Sequence, residues 1–222
     1  MPSWNIHTAH VERLLREHEA ELLGVRDMNA FLFGNFVPDI YVGYMVAGTT
    51  CVMDYRVTHF AETASIPLPR ADEFYERFVA NVAADEVSDV TLGAWAHLVA
   101  DHVYNKHTRA FLAAHNMKPG DKARQGKQAD FALFGRTLDI SMRPYVDETL
   151  LAQCAAFPQY PIAETDVYAT VEVACQIVDI NQREHVTGEP AYQMLDAAFF
   201  ESARAEANDW MASGLIQYAA RL

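Results

Sequence analysis

Apolar residues recur at helical spacing over most of the chain. Ile6, Val11, Leu14, Leu15, Leu22 and Leu23 predict a first helix from residue 4 to about residue 24, with Gly24 as its stop. A short helix is expected from Asp27 to Phe36. Pro38 disfavours helical geometry at Val37, so the break falls before Asp39. The period returns over 71–83 and over a long run from Val90 to about Ala114, which Asp89 is placed to cap. Further helices are predicted over 129–142, 144–156, 164–186 and 190–220; the last is rich in alanine and glutamate and reads as a packing face or a homo-oligomer face. Two stretches lack the pattern. Residues 41–69 contain Gly43, Gly48, Pro67 and Pro69, while 116–128 contains Pro119 and Gly120 with Lys118, Lys122, Arg124 and Lys127 against Asp121. Alternating strand patterns are sparse, so the expectation is an all-α, compact multihelical domain.

Composition narrows the function classes. A chain of 222 residues can enclose a substantial core as one domain, and its 51% hydrophobic and 21% charged residues are ordinary for a globular protein. Thirty acidic against 17 basic residues give a net charge of -13, which opposes nonspecific contact with nucleic acid or an anionic membrane. No uninterrupted apolar run approaches the length of a membrane span. The start of the sequence shows neither a basic segment nor an apolar run, which makes a cytoplasmic location the expectation. Cys51, Cys154 and Cys175 lack a metal-binding spacing and read as buried free thiols.

The chemistry enters within the long helix. Between Thr91 and Asp101 the sequence is apolar except for His97 and Asp101, which lie four residues apart and share a face with Ala94, Leu98 and Tyr104. Burying both groups is costly, and a metal ion would offset that cost. Asp39, after Pro38, and His59, in the irregular stretch, are of the same ligand type. Such a long connection needs a reason to be ordered, and ligation supplies one. Imidazole and carboxylate suit zinc, and also manganese or iron.

Each residue also has an ordinary reading. His7 and His10 lie three residues apart on one side of the first helix; either can be a ligand, or one can face solvent while the other makes a hydrogen bond. Asp39 can cap a turn and His59 can be a loop histidine. His107 lies about 80° around the helix from His97 and so outside the same compact shell, beside a neighbouring metal or a phosphate; His102 reads as structural. Glu172, Gln176 and Asp179 form either a second polar line toward a cavity or an exposed face, and Asp130 and Asp139 are weaker candidates for the same role. The basic stretch 118–127 is either solvated surface or an anion site.

Taken together, His7, the segment from Leu32 through Pro38 and Asp39 to Ile40, His59 with Phe60, and the run from Leu92 through His97 to Asp101 resemble the bacterial zinc-dependent phospholipase C-like family. These pieces span the first half of the chain in family order. The resemblance implies a phospholipase C/P1 nuclease-like helical domain. It also implies metal-binding roles for Asp39, His59, His97 and Asp101, with His7 serving an additional metal and His107 as a further ligand. The chain departs from the family pattern in two places: Trp4 is not terminal, and no histidine with a glutamate four residues on follows His107 in the basic stretch. One or two metal ions, rather than three, follow from that departure.

The function expected is metal-dependent hydrolysis of a phosphate ester, either a small molecule or a lipid headgroup. Zinc lowers the pKa of water toward about 7 and neutralises charge on phosphoryl oxygens. Asp39 would serve as ligand or bridge and as acceptor of the water proton, and Asp101 is the second carboxylate assigned to catalysis. The alternatives are a noncatalytic helical metal-binding protein and an HD-like nucleotide phosphohydrolase. The adjacent pair here is Asp101-His102, the reverse of the HD order.

Overall fold

The computed structural model describes residues 2–222, and among these it contains α-helices and no strand. The helices are α1 (Trp4–Glu17), α2 (Met28–Gly34), α3 (Val37–Ile40), α4 (Tyr55–Thr58), α5 (Ala71–Tyr75), α6 (Asp89–Ala114), α7 (Asp121–Arg136), α8 (Glu148–Ala155), α9 (Glu164–Arg183) and α10 (Ala197–Ala219). A π-helical turn, Glu76–Ala80, continues α5. The all-α expectation holds. None of the helices is long and apolar enough to cross a membrane.

Helix α6 is the axis of the fold. From Asp89 to Asn105 every residue except His102 is buried, because α2, α5, α8 and α10 surround it. The closest approach is to α2, through paired glycines. A Cβ on Gly34 would collide with the Val90 carbonyl oxygen, and one on Gly93 would collide with the Phe31 carbonyl and stand 2.9 Å from the Asn35 nitrogen. On the opposite side Gly214 of α10 leaves room for the Trp95 ring, which fills the space that a side chain there would need. This packing places backbone groups of the α2–α3 junction directly against α6 side chains.

Several element ends differ from the pattern-based expectation. Helix α1 stops at Glu17, because His18 is extended, and residues 19–24 form tight turns rather than helix. Gly24 closes those turns with φ 69° and lies against Tyr218. The break after α2 falls at Asn35 and Phe36, and Pro38 stands in the first turn of α3 instead of after a helix end. That placement is favourable because a first-turn residue has no intrahelical partner for its N–H. Asp39 is therefore helical. The hydroxyl of Ser88, not Asp89, caps α6 by accepting the Thr91 N–H at 3.1 Å.

The basic stretch is only partly a loop. Residues from Asp121 onward belong to α7, so Lys122, Arg124 and Lys127 are carried on a helix, and the predicted helix over 129–142 is its second half, ending at Arg136. Helix α8 begins at Glu148, capped by Asp147, and α10 begins at Ala197, capped by Asp196; both start later than the apolar pattern suggests. Cys154 is buried and Cys175 half-buried, whereas Cys51 is exposed, contrary to the expectation of three buried thiols.

Candidate metal centre

Four helices bring together five histidine and aspartate side chains that could hold a metal ion. The buried face of α1 contributes His7, α3 contributes Asp39, the residue ending α4 is His59, and α6 contributes His97 and Asp101 one turn apart. All five are buried. Local backbone geometry aims His59 inward: the next residue, Phe60, takes the left-handed φ of 52°, costly for an aromatic residue. Its ring is edge-on to Phe74 and Phe78, and its carbonyl accepts a 2.7 Å hydrogen bond from Arg70 Nε, which together hold the turn.

Two triads meet the separation expected of a metal shell: His7, His97 and Asp101, and Asp39, His59 and His97, with the donor atoms of each triad all within 4.8 Å of one another. His59 Nε2 is 3.1 Å from His97 Nε2, 3.5 Å from Asp39 Oδ1 and 3.6 Å from Asp101 Oδ2. His7 Nε2 is 3.6 Å from Asp101 Oδ1, and His97 Nε2 is 3.9 Å from Asp101 Oδ2. Ligand bonds of about 2.0–2.2 Å to zinc place neighbouring donors roughly 3–3.6 Å apart, so these separations are near those of a filled shell. The triads share His97, which has only one free nitrogen, so they describe overlapping parts of one centre.

Hydrogen bonds identify which nitrogens are free. His97 Nδ1 is 2.9 Å from the Asn35 carbonyl oxygen, to which it donates, so its proton is on Nδ1 and Nε2 carries a lone pair. The Thr58 hydroxyl lies 3.3 Å from the Tyr55 carbonyl oxygen and 2.8 Å from His59 Nδ1, which holds the His59 ring with Nε2 toward His97. With its proton on Nδ1, toward Thr58, His59 also offers a lone pair at Nε2. In that tautomer the two lone pairs converge at 3.1 Å, and a cation within reach of both would bind them; with the proton on Nε2 the same contact is a hydrogen bond to His97.

Charge leads to the same conclusion. Asp39 and Asp101 are buried near one another, and among the described residues neither forms an ion pair with lysine or arginine. Burial is the largest influence on both carboxyls and raises their pKa values, but the surrounding imidazoles outweigh it and hold both below the ordinary carboxylate range. Burial also pulls His97 down to about 3, with His7 adding to the effect, so His97 stays neutral and able to ligate. Asp39 Oδ1, Asp101 Oδ1 and both nitrogens of His7 are buried without hydrogen bonds. These unmatched atoms, two carboxylates and three imidazoles fit a divalent cation.

A supporting layer orients the ligands. Trp4 Nε1 donates to Asp39 Oδ2 at 3.0 Å and the Tyr55 hydroxyl donates to Asp101 Oδ2 at 3.1 Å. Tyr55 also stacks on His59 at a centroid distance of 3.8 Å, and His7 stacks on His97 at 4.0 Å. The sequence pattern assigns no role to Trp4, Tyr55, Thr58 or Asn35. Only the position of Asn35 beside a predicted helix end offered any signal.

The other candidates lie elsewhere. His107 is outside both triads, and its Nε2 makes a 2.7 Å contact with Glu206, which also holds Lys106. His10 points to Asn208, with Nδ1 2.9 Å from Oδ1, and His102 Nδ1 donates to the Pro69 carbonyl at 2.7 Å. Glu172, Gln176 and Asp179 are exposed; the first two bond one another and Asp179 bonds Arg143. Asp130 accepts the backbone N–H groups of Gln193, Met194 and Leu195, so it ties a loop to α7. Asp139 is exposed.

A cavity of about 720 Å³ adjoins the centre at Asp39 and Tyr44 and extends to Lys127 and Phe131 of α7. Its volume is within the usual range for small-molecule sites. No family model, curated protein or solved structure matches this chain.

Proposed function

We propose that the chain is a metal-dependent hydrolase of a phosphate ester, using one divalent ion held by His7, Asp39, His59, His97 and Asp101. The observation that carries this reading is the convergence of His7, His59 and His97 with two buried carboxylates, their donor atoms within metal-shell distances, beside a cavity. Zinc suits three imidazoles and two carboxylates, and ferrous iron or manganese would accept the same set. When bound, such an ion supplies Lewis acidity toward a phosphoryl oxygen and acidifies water.

The side chains divide the remaining work. Trp4 occupies Asp39 Oδ2 and leaves Oδ1, 3.5 Å from His59 Nε2, as the carboxylate atom that would ligate the ion. Tyr55 fixes Asp101 through Oδ2, while the Asn35 carbonyl fixes the His97 tautomer and Thr58 holds the His59 ring. These contacts supply preorganisation, keeping donor atoms in place before substrate arrives. The resemblance to the zinc-dependent phospholipase C-like family supports this reaction class.

The test is metal analysis of the purified chain, followed by phosphomonoester, phosphodiester and phospholipid assays with zinc, manganese or iron supplied separately. Turnover that requires the ion and falls sharply in a folded Asp101→Asn variant is expected. Metal-independent turnover would overturn the proposal. A tightly bound ion with no turnover would instead identify a noncatalytic metal-binding protein.

A further inference from the structure

The cavity beside the centre has two chemically distinct parts. Asp39 lies at one boundary, while Met45, Ile66, Leu112, Phe131 and Met194 give the wall an apolar character. Lys127 also lines it, half-buried, with Nζ 5.8 Å from the Phe131 ring centroid. Neighbouring Arg124 pairs with Asp121 at 3.2 Å, but among the described residues no carboxylate forms an ion pair with Lys127. Apart from the attraction of the buried Asp101 carboxylate, no counterion faces this half-buried ammonium among the described residues, and an anionic ligand in the cavity would offset the cost of its burial.

The surrounding charges make this position selective. The chain carries a net charge of -13, and two carboxylates lie at the metal centre, so the unoccupied protein repels anions. A bound divalent cation would balance Asp39 and Asp101, so that Lys127, no longer offset by Asp101, would favour an anion in the cavity. A volume of about 720 Å³ suits one phosphoryl group with one apolar substituent, as for a drug-sized ligand, rather than a lipid with two long acyl chains.

We propose that this cavity binds a small phosphate ester of an apolar alcohol, with Lys127 holding a phosphoryl oxygen and the wall around Ile66 and Met194 receiving the alcohol portion. This proposal rests on the metal-dependent reading of the same site, and it assigns a substrate class and a specificity residue. Lys127 is a binding and positioning residue. The conservative Arg replacement retains its charge, whereas Met retains its length without the charge.

Calorimetric titration of the metal-loaded full chain with n-hexyl phosphate, inorganic phosphate and n-hexyltrimethylammonium tests it. Hexyl phosphate is expected to bind roughly tenfold or more tightly than either comparison ligand, since both the charge and the buried methylenes contribute. Lys127→Met should weaken hexyl phosphate by about tenfold or more with unchanged metal content, and Lys127→Arg should recover most of the loss. Ile66→Asn should weaken hexyl phosphate while leaving inorganic phosphate unchanged. Equal binding by the native and Lys127→Met proteins, no preference for hexyl phosphate, or absence of binding would overturn the assignment. Lys127-dependent binding without turnover would sink the hydrolase reading and leave the ligand assignment standing; metal-dependent turnover insensitive to Lys127→Met would do the reverse.

Discussion

His59 and His97 face each other through their Nε2 atoms at 3.1 Å, while their Nδ1 atoms engage Thr58 and the Asn35 carbonyl. Neither ring can turn to relieve the opposition without breaking a buried hydrogen bond. A cation bound here therefore stabilises the folded chain selectively, since the unfolded chain does not hold the five donors together. Thermal and chemical denaturation should show stability increasing by about 1.4 kcal/mol for each tenfold rise in free zinc above its dissociation constant. Stability independent of verified metal loading would contradict this linkage.

Removing one oxygen from the supporting layer separates orientation from ligation. Tyr55→Phe deletes the hydroxyl bonded to Asp101 Oδ2 but preserves the ring stacked on His59. Metal affinity is expected to fall about 10–100-fold, measured by competition with a chromophoric chelator. His107→Ala, which loses the contact to Glu206 and the edge-on packing against Phe199, should leave metal affinity unchanged, measured in the same competition.

A pH effect follows from His10, outside the two triads. Burial pulls its pKa down from 6.5 to about 3, with His7, Arg204 and Arg13 opposing protonation and the Asn208 hydrogen bond favouring it. Below 6.5 the unfolded histidine gains a proton that the folded one refuses until about 3. Stability must therefore fall as pH drops through that window, by up to about 1.4 kcal/mol per pH unit from this residue. His10→Gln should flatten the slope by a similar amount in urea titrations performed across the window. An unchanged slope would show that His10 does not carry the effect.

The glycine contact between α2 and α6 links packing to ligand orientation. In Gly93→Ala the added methyl meets the Phe31 carbonyl and the Asn35 backbone, whose carbonyl accepts from His97. Separation of the helices should cost about 1–3 kcal/mol and weaken metal binding at the same time. Denaturation together with metal titration checks both; loss of stability with unaltered affinity would uncouple this contact from the centre.

The pattern made the helical class and the shared face of His97 and Asp101 legible because both depend on local spacing. It could not choose between His7 and His10. Both are buried on α1, and their different directions depend on Asp101 and on Asn208, distant in sequence. The start of α7 was hidden by Pro119, Gly120 and a charged, solvent-facing first turn without an apolar stripe. Trp4 and Tyr55 were missed for another reason: each makes a hydrogen bond to a carboxylate placed by a different helix, and no local period records such a meeting.

All five donors belong to residues 7–101, although α6 is enclosed on one side by α10. During amino-to-carboxyl synthesis the complete donor set is made before the residues of α10, while the site's final packing must await that helix. Ion capture and burial are thus separable in the order of chain growth: an early ion would meet a solvated, loosely held set of ligands, and arrival of the last helix would turn that encounter into an enclosed centre.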